Sequence, residues 1–298
     1  AQVAANAQKT GKMVVYFDSE SAIDPAFLER AGCDLDQLMY VQATSVEFVL
    51  ETIEELLGAT DEQIVFIWDS LAFTPSVSDV EGDFNPQSSM AVKARILAKG
   101  MSKLVIPIAD KQATLIVLNQ LKTNIPQGPN ARIVAMTTPY TTPGGKAMHY
   151  AYSLRIWLTG RKAKAAFIED EKGFRIGSEV KIKLEKSRFG TQGRSCAFRI
   201  MWGTDDVGIR DEESWFDAIK GSEHLSSAGA WYTLSTPDGY SKKFQPSKWT
   251  ETIKGDEEFR KRIIQIMDEE IVQKFDKREG DASVFYEDPE DLTVPVTD

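Results

Sequence analysis

The sequence is poor in the residues that staple small proteins or hold structural metals. It has two cysteines in 298 residues, Cys33 and Cys196. Two cannot build a disulfide framework, and such sparing use points to a reducing compartment. With two histidines, His149 and His224, and no C-x-x-C pair, a structural zinc site is close to excluded. No apolar run approaches the roughly eighteen residues a membrane span needs, and the best candidate, around Leu115–Asn119, has strand length. The chain opens Ala-Gln-Val-Ala-Ala-Asn-Ala-Gln, without an initiator Met or a signal peptide. A helical pattern is already under way there with no cap before it, so a natural start upstream is expected. What is present is ordinary for a soluble globular protein: 42% apolar and 27% charged residues, in a length near two domains.

Charge becomes informative once divided along the chain. The net value is −10, yet residues 84–168 carry twelve basic side chains against one acidic, Asp110. Residues 1–83 carry three basic against sixteen acidic, and residues 255–298 six against fourteen. An acidic protein with one basic central stretch can present a local field to a polyanion while staying soluble. The alternative is that these lysines simply coat helices.

The first two hundred residues alternate strand and helix signals. Met13–Phe17, Ile64–Trp68 and Thr114–Leu118 are continuous apolar runs of strand length, and Met39–Val41 is a shorter one. Between them, Asp24-Pro25 opens a short helix to about Ala31. Ser45 caps a helix to Leu57 with Val46, Val49, Leu50, Ile53, Leu56 and Leu57 on one face. A further helix is expected over Ser89–Ile106. Apolar strands separated by helices imply a parallel sheet covered on both faces. From about Tyr152, strands at Leu154–Leu158, Glu179–Leu184 and Ser195–Met201 joined by Gly-containing turns imply an antiparallel edge. A smaller region follows: a helix at Glu213–Ile219, a strand at Ala230–Leu234 and an amphipathic helix at Glu257–Phe275. The end is acidic and is expected to be disordered.

Two connections, Leu71–Ser88 and Leu121–Met148, are long for loops inside a compact α/β domain. Both follow buried strands, at the sheet edge where α/β proteins place ligands. The second holds Lys122, Arg132 and Lys146 and no acidic residue, a composition suited to a segment that orders on nucleic acid.

Carboxylates at strand ends are the candidates for chemistry. Asp69, after an apolar run and before Ser70, has the form of a Walker B element, which holds a magnesium-bound water beside nucleotide phosphates; such an Asp also serves simply to cap a loop. Asp18 and Glu20 close the first strand, and a second carboxylate there could orient an attacking water. Asn119-Gln120 closes the third, where a neutral amide could sense a γ-phosphate by hydrogen bonding or merely begin a loop.

Five stretches in order resemble the RecA recombinase family: Tyr16-Phe-Asp-Ser-Glu-Ser-Ala-Ile-Asp-Pro25, Trp68-Asp-Ser-Leu-Ala-Phe-Thr-Pro75, Leu118-Asn-Gln-Leu121, Pro143-Gly-Gly-Lys-Ala147 and Ala228-Gly-Ala-Trp-Tyr232. Glu185-Lys-Ser-Arg188 is more similar to the phage branch of that family, the UvsX-type recombinases. Spacing matches from Ala1 to about Phe275. The resemblance implies an α/β, RecA-type P-loop ATPase core with a mostly parallel sheet and an antiparallel edge over 1–203. A small α+β carboxyl-terminal domain would cover 204–275 and an acidic disordered tail 276–298.

The resemblance also implies roles. Glu20 would be the general base or water-orienting carboxylate, and Asp69 with Ser70 the Walker B pair, Asp69 serving Mg2+. Gln120 would couple the γ-phosphate to the following loop. Asp24 and Phe27 would contact the adenine of ATP, with Trp202-Gly203 near the base. Lys186 and Arg188 would reach the neighbouring subunit's nucleotide like arginine fingers. The long loops would bind DNA, with Met90 and Arg95 flanking the first and Gly144, Gly145 and Lys146 closing the second. The function implied is an ATP-dependent homologous recombinase of a bacterial or phage-infected cytoplasm. It would form a homo-oligomeric helical filament on single-stranded DNA and exchange it into duplex DNA. The alternatives are an ATPase-deficient DNA-binding filament module and a RecA-fold motor ATPase. One departure is large: the family's phosphate-binding pattern, G-x-x-x-x-G-K-[ST], is absent from these residues. Ala1–Gln8 resembles the helix that follows that loop, which places the loop's expected position immediately upstream.

Overall fold

The computed structural model describes residues 1–82, 92–125, 128–129, 131–137, 140–160, 166–203 and 207–272. A short helix α1 (Gln2–Lys9) leads into strand β1 (Met13–Asp18). Helix α2 (Pro25–Arg30) follows, with Pro25 in its first turn and the Asp24 carboxylate accepting from the Ala26 N–H as N-cap. Next come β2 (Leu38–Gln42), α3 (Val46–Ala59) and β3 (Ile64–Asp69). The Ser45 hydroxyl oxygen caps α3 by accepting from the Phe48 N–H. Helices α4 (Val77–Glu81) and α5 (Val92–Asp110) then lead to β4 (Thr114–Val117). The four strands pair in parallel in the order β2-β1-β3-β4.

Strand periodicity explains why β1 and β3 are apolar throughout. Val15, Phe17, Phe66 and Trp68 face a core shared with Val49, Ile53 and Leu57 of α3 and Leu97 and Leu104 of α5. Their neighbours Val14, Tyr16, Val65 and Ile67 face a second core with Ala4 and Ala5 of α1 and Leu28 of α2. Both faces are covered, so no position on these strands is left for a polar residue until the sheet edge.

Of the expected helix over Ser89–Ile106, residues 89–91 lie outside the described residues; the described part, from Val92, runs past Ile106 to Asp110, straight through Pro107. Proline ordinarily stops a helix because it lacks an N–H, but here Ile108 beyond it packs against the first core. The described residues of Leu121–Met148 hold more regular structure than the segment's composition suggests. It contains a two-stranded pair, β5 (Lys122–Thr123) with β6 (Tyr140–Thr141), the helix α6 (Ala131–Thr137) and the start of α7 (Gly145–Ala151).

Strands β7 (Leu154–Gly160), β8 (Phe167–Glu169), β9 (Arg175–Ser187), β10 (Ser195–Met201) and β11 (Gly208–Arg210) form a second sheet, in the order β11-β10-β9-β7 with β8 antiparallel to β9. After α8 (Glu212–Ile219) comes an antiparallel meander of β12 (Leu225–Ala228), β13 (Trp231–Ser235) and β14 (Ser241–Phe244). Helices α9 (Trp249–Gly255) and α10 (Glu257–Met267) follow, and a π-helical turn covers Asp268–Val272; the last residues of the helix expected to Phe275, and the tail over 276–298, lie outside the described residues. Phe244, Trp249 and Phe259 are buried together, with Phe216 and Tyr232 against them at ring separations of 4.9–6.1 Å. These rings pack with Ile219, Leu225, Leu234, Ile253, Ile263 and Ile266 in one core. The chain forms two compact units. One comprises Ala1–Arg155, Phe167–Ser178 and Ile200–Gly208; the other comprises Ile156–Ala166, Glu179–Arg199 and the chain from Ile209 onward.

Candidate functional site

Because β1 and β3 are parallel and in register, Asp18 and Asp69 are direct partners at the same sheet edge. Their side chains have different work. Asp18 is 2% exposed, and its Oδ1 accepts from the backbone N–H groups of Glu20 and Ser21, both at 2.9 Å. Its Oδ2 accepts from the Tyr40 hydroxyl at 3.1 Å. That carboxylate is committed to folding the turn after β1. Glu20 is thereby released from backbone duty, and its Oε1 accepts from the Ser70 hydroxyl at 2.8 Å.

Asp69 ends β3 and its Oδ2 accepts from the Tyr16 hydroxyl at 2.7 Å. Burial pushes the Tyr16 phenol well above the usual tyrosine range, and the bond to Asp69 adds to this, so it remains a donor at any physiological pH. Ser19 knits the two strand ends together. Its N–H donates to the Asp69 carbonyl at 2.8 Å, and its hydroxyl oxygen accepts from the Ser70 N–H at 2.9 Å. The Asp69–Ser70 peptide is cis. Glu20, Asp69 and Ser70 are therefore brought into one cluster by direct hydrogen bonds and by Ser19.

The turn after Ser70 is held from two sides. Trp68 Nε1–H donates to Thr74 Oγ1 at 2.7 Å, and the Thr74 hydroxyl donates to the Ser70 carbonyl at 2.9 Å. Lys93, at the start of α5, donates through Nζ to the carbonyls of Leu71 and Thr74 at 2.6 and 2.5 Å. Desolvation lowers its ammonium below the ordinary lysine range. Sequence reasoning counted Lys93 only as one charge of the basic stretch; nothing in its surroundings in the chain marks it as a clamp.

Gln120 is exposed, beyond Asn119, whose Nδ2 donates to the Pro143 carbonyl at 2.9 Å. That bond joins the end of β4 to Gly144 and Gly145. Gly144 caps α7 with φ 104°, and a Cβ there would stand 3.0 Å from Met148 Cγ and 3.2 Å from Leu71 Cδ2. Both its conformation and its packing call for glycine. Lys146 and Arg95 are exposed, on α7 and α5. Met90 lies outside the described residues.

Asp24 caps α2, and the Arg30 guanidinium lies 5.8 Å from the centroid of the half-buried Phe27 ring. The N–H groups of Trp202 and Gly203 both donate to the Ile176 carbonyl, at 2.9 and 3.1 Å. A Cβ on Gly203 would stand 2.9 Å from Ile176 Cα, so glycine is needed there for packing alone. Lys186 is the penultimate residue of β9, within the strand rather than beyond it, and Arg188 follows the strand. Burial lowers the Lys186 ammonium below the usual range, and the neighbouring Arg188 charge lowers it further. In the same unit, Arg194 Nη1–H donates to the Ile271 carbonyl of the π-helical turn at 2.7 Å.

The donor set of Asp69, Ser70 and Glu20 is all hard oxygen. That chemistry fits Mg2+, which takes one or two carboxylates and completes its shell with water and phosphate oxygens. Among the described residues, no three His, Cys, Asp or Glu side chains converge as a self-sufficient metal cage. Also among them, no helix is long and apolar enough to cross a membrane.

A parallel α/β sheet with acidic residues clustered at its carboxyl edge, followed by an antiparallel sheet, is the architecture of a RecA-type nucleotide-binding core. Residues 1–207 match the RecA N-terminal domain, and the chain belongs to the RecA family. It is 30% identical over 236 residues to Protein RecA of Colwellia psychrerythraea, covering 78% of this chain and 63% of that protein. It is 29% identical over 231 residues to Protein RecA of Leptospira biflexa, covering 78% of this chain and 55% of that one. Against Protein RecA of Haemophilus ducreyi the identity is 28% over 292 residues, 96% of this chain and 73% of that protein. The chain thus spans between about half and three quarters of the length of these relatives.

Proposed function

We propose that the chain is the body of an ATP-dependent homologous recombinase that forms a helical filament on single-stranded DNA and pairs it with duplex DNA. The observation carrying this reading is the hydrogen bond from Ser70 to Glu20, which puts a second carboxylate beside the Walker B residue Asp69. In this reading Glu20 orients and deprotonates the attacking water, and Ser70 holds the Glu20 carboxylate in place. Asp69 serves Mg2+, which when bound neutralises phosphate charge. Gln120 senses the γ-phosphate from the end of β4, and the Asn119–Pro143 bond carries that signal to Gly144–Lys146. Asp24, Phe27, Trp202 and Gly203 border the base. Lys186 and Arg188 complete a neighbouring subunit's site, and Arg95 and Lys146 contact DNA phosphates. The functional division runs as a core over 1–203, a carboxyl-terminal domain over 204–275 and an acidic tail over 276–298. Glu185-Lys-Ser-Arg188 supports assignment to the phage, UvsX-type branch.

The test uses the 298-residue chain and a form extended upstream of Ala1 through a G-x-x-x-x-G-K-[ST] loop, whose amides and lysine cradle phosphates. Filaments on single-stranded DNA, DNA-stimulated ATP hydrolysis and strand exchange by the extended form are expected. Filaments without hydrolysis in either form would favour the ATPase-deficient module. Hydrolysis without pairing would favour a motor ATPase, and no DNA binding would reject the reading.

A further inference from the structure

The turn that leaves β3 has Ser70, Leu71 and Thr74 buried, so its backbone groups must find partners inside the protein. The Phe73 and Thr74 N–H groups both donate to the Ser70 carbonyl, at 3.3 and 3.1 Å, and the Leu71 N–H donates to the Leu118 carbonyl at 2.9 Å. The carbonyls of Leu71, Ala72 and Thr74 accept instead from one ammonium, Lys93 Nζ, at 2.6, 3.4 and 2.5 Å. An ammonium has three donors, and here all three are spent on a single turn. A lysine that merely coated α5 would keep its head in water. Desolvation instead lowers this ammonium below the ordinary lysine range, with Asp79 opposing the shift and Lys122 adding to it. What the turn holds is Ser70. The Thr74 hydroxyl donates to the Ser70 carbonyl at 2.9 Å, and the Ser70 hydroxyl donates to Glu20 Oε1 at 2.8 Å. Hydrogen bonds thus lead from the first turn of α5, through Thr74 and Ser70, to the Glu20 carboxylate.

We propose that Lys93 is a positioning residue for Glu20: from α5 it fixes the turn 71–74, so that Ser70 offers its hydroxyl to Glu20 in one place. The inference rests on the proposed role of Glu20 as the carboxylate that orients and deprotonates water. Lys93 itself touches no reacting atom in this scheme and acts only through Thr74 and Ser70. Misplacing a reacting group by about 1 Å can cost on the order of 10²-fold in rate. A turn deprived of the cation that meets three of its carbonyls has to rearrange to satisfy them, and Ser70 moves with it. The effect falls on the chemical step, because Lys93 makes no contact that would bind ATP.

The experiment measures kcat and KM for ATP separately in the form extended upstream of Ala1, for Lys93→Met, Glu20→Gln and the double variant. Methionine keeps the unbranched length and removes the charge and the donors. A parallel measurement on the unsubstituted 298-residue chain follows amide exchange at Phe73 and Thr74, which needs no variant to fold. Lys93→Met should lower kcat about tenfold or more with KM within about threefold. In the Glu20→Gln background the same change should cost almost nothing, because a loose turn makes no difference once the carboxylate is gone. The Phe73 and Thr74 amides should exchange about as slowly as those of Ile96 and Leu97 in α5. A kcat unchanged by Lys93→Met, a loss carried by KM, or the same proportional loss with and without the Glu20 carboxylate would overturn the inference while leaving Glu20 as the base. So would Phe73 and Thr74 amides that exchange as in an unfolded chain. Glu20→Gln turnover near that of the parent, or an extended form that hydrolyses no ATP, would remove the reading on which the inference stands, and the inference with it.

Discussion

Asn119 Nδ2 and the Pro143 carbonyl oxygen are 2.9 Å apart, a hydrogen bond across twenty-four residues that fastens the carboxyl end of β4 to the glycine pair capping α7. Removing it in Asn119→Ala strands a carbonyl in a half-buried site. Stability should fall by about 1 kcal/mol, and amide exchange across residues 140–148 should accelerate. If that exchange is unaltered, Gly144 packing alone holds the segment and Asn119 carries no signal to it.

Glu20→Gln removes the negative charge while Gln Oε1 can still accept from the Ser70 hydroxyl, so the cluster should keep its shape. In the extended form, turnover should drop on the order of 10²–10⁴-fold, with nucleotide binding and filament formation retained. Turnover near that of the parent would assign the base elsewhere and leave Glu20 a structural acceptor.

Lys186, half-buried at the end of β9, and Arg188, exposed just beyond it, lie outside the hydrophobic cores and should contribute little to folding. Changing both to Ala should abolish DNA-stimulated hydrolysis with thermal stability almost unchanged. Mixed filaments of this variant with Glu20→Gln should regain activity, because some interfaces pair an intact Glu20 with intact basic residues. Mixtures as inactive as either parent, with co-assembly verified by labelled subunits, would mean that the two act within their own subunit or not at all.

Arg95 and Lys146 are exposed on α5 and α7 within the basic stretch. Affinity for single-stranded DNA should fall steeply with salt through counterion release. The Arg95→Ala, Lys146→Ala double variant should flatten the slope of log K against log salt by about 1.4, two phosphate contacts at roughly 0.7 each. A slope identical to the parent's takes both residues off the DNA path.

Much of the core was legible because the physics is local there. Met13–Phe17 and Ile64–Trp68 are apolar on consecutive positions, as a strand covered on both faces requires, and Ser45 announces α3 by its own side chain. The site was legible as far as strand-end carboxylates go. That Asp18 turns back on the N–H groups just after it while Glu20 meets Ser70 is decided by a hydrogen bond between residues fifty apart, which no spacing encodes. Tyr16 and Lys93 went unread for the same reason: one looks like core and the other like surface charge until the strand register and the α5 position are known. The pair β5–β6 has only two residues per strand, too few for any alternation to register. The extension of α5 past Pro107 is a tertiary override of a sound local rule.

Lys93 has a further consequence for how much the neighbouring sequence is free to change. Its ammonium binds the Leu71 and Thr74 carbonyls from the first turn of α5, so the two ends of the connection 75–92 are pinned together beside β3. Insertions between Gly82 and Val92 should therefore be nearly neutral for the geometry of Asp69 and Ser70. The edge of the sheet that carries the carboxylates and the loop that leaves it are, through one lysine, free to diversify independently.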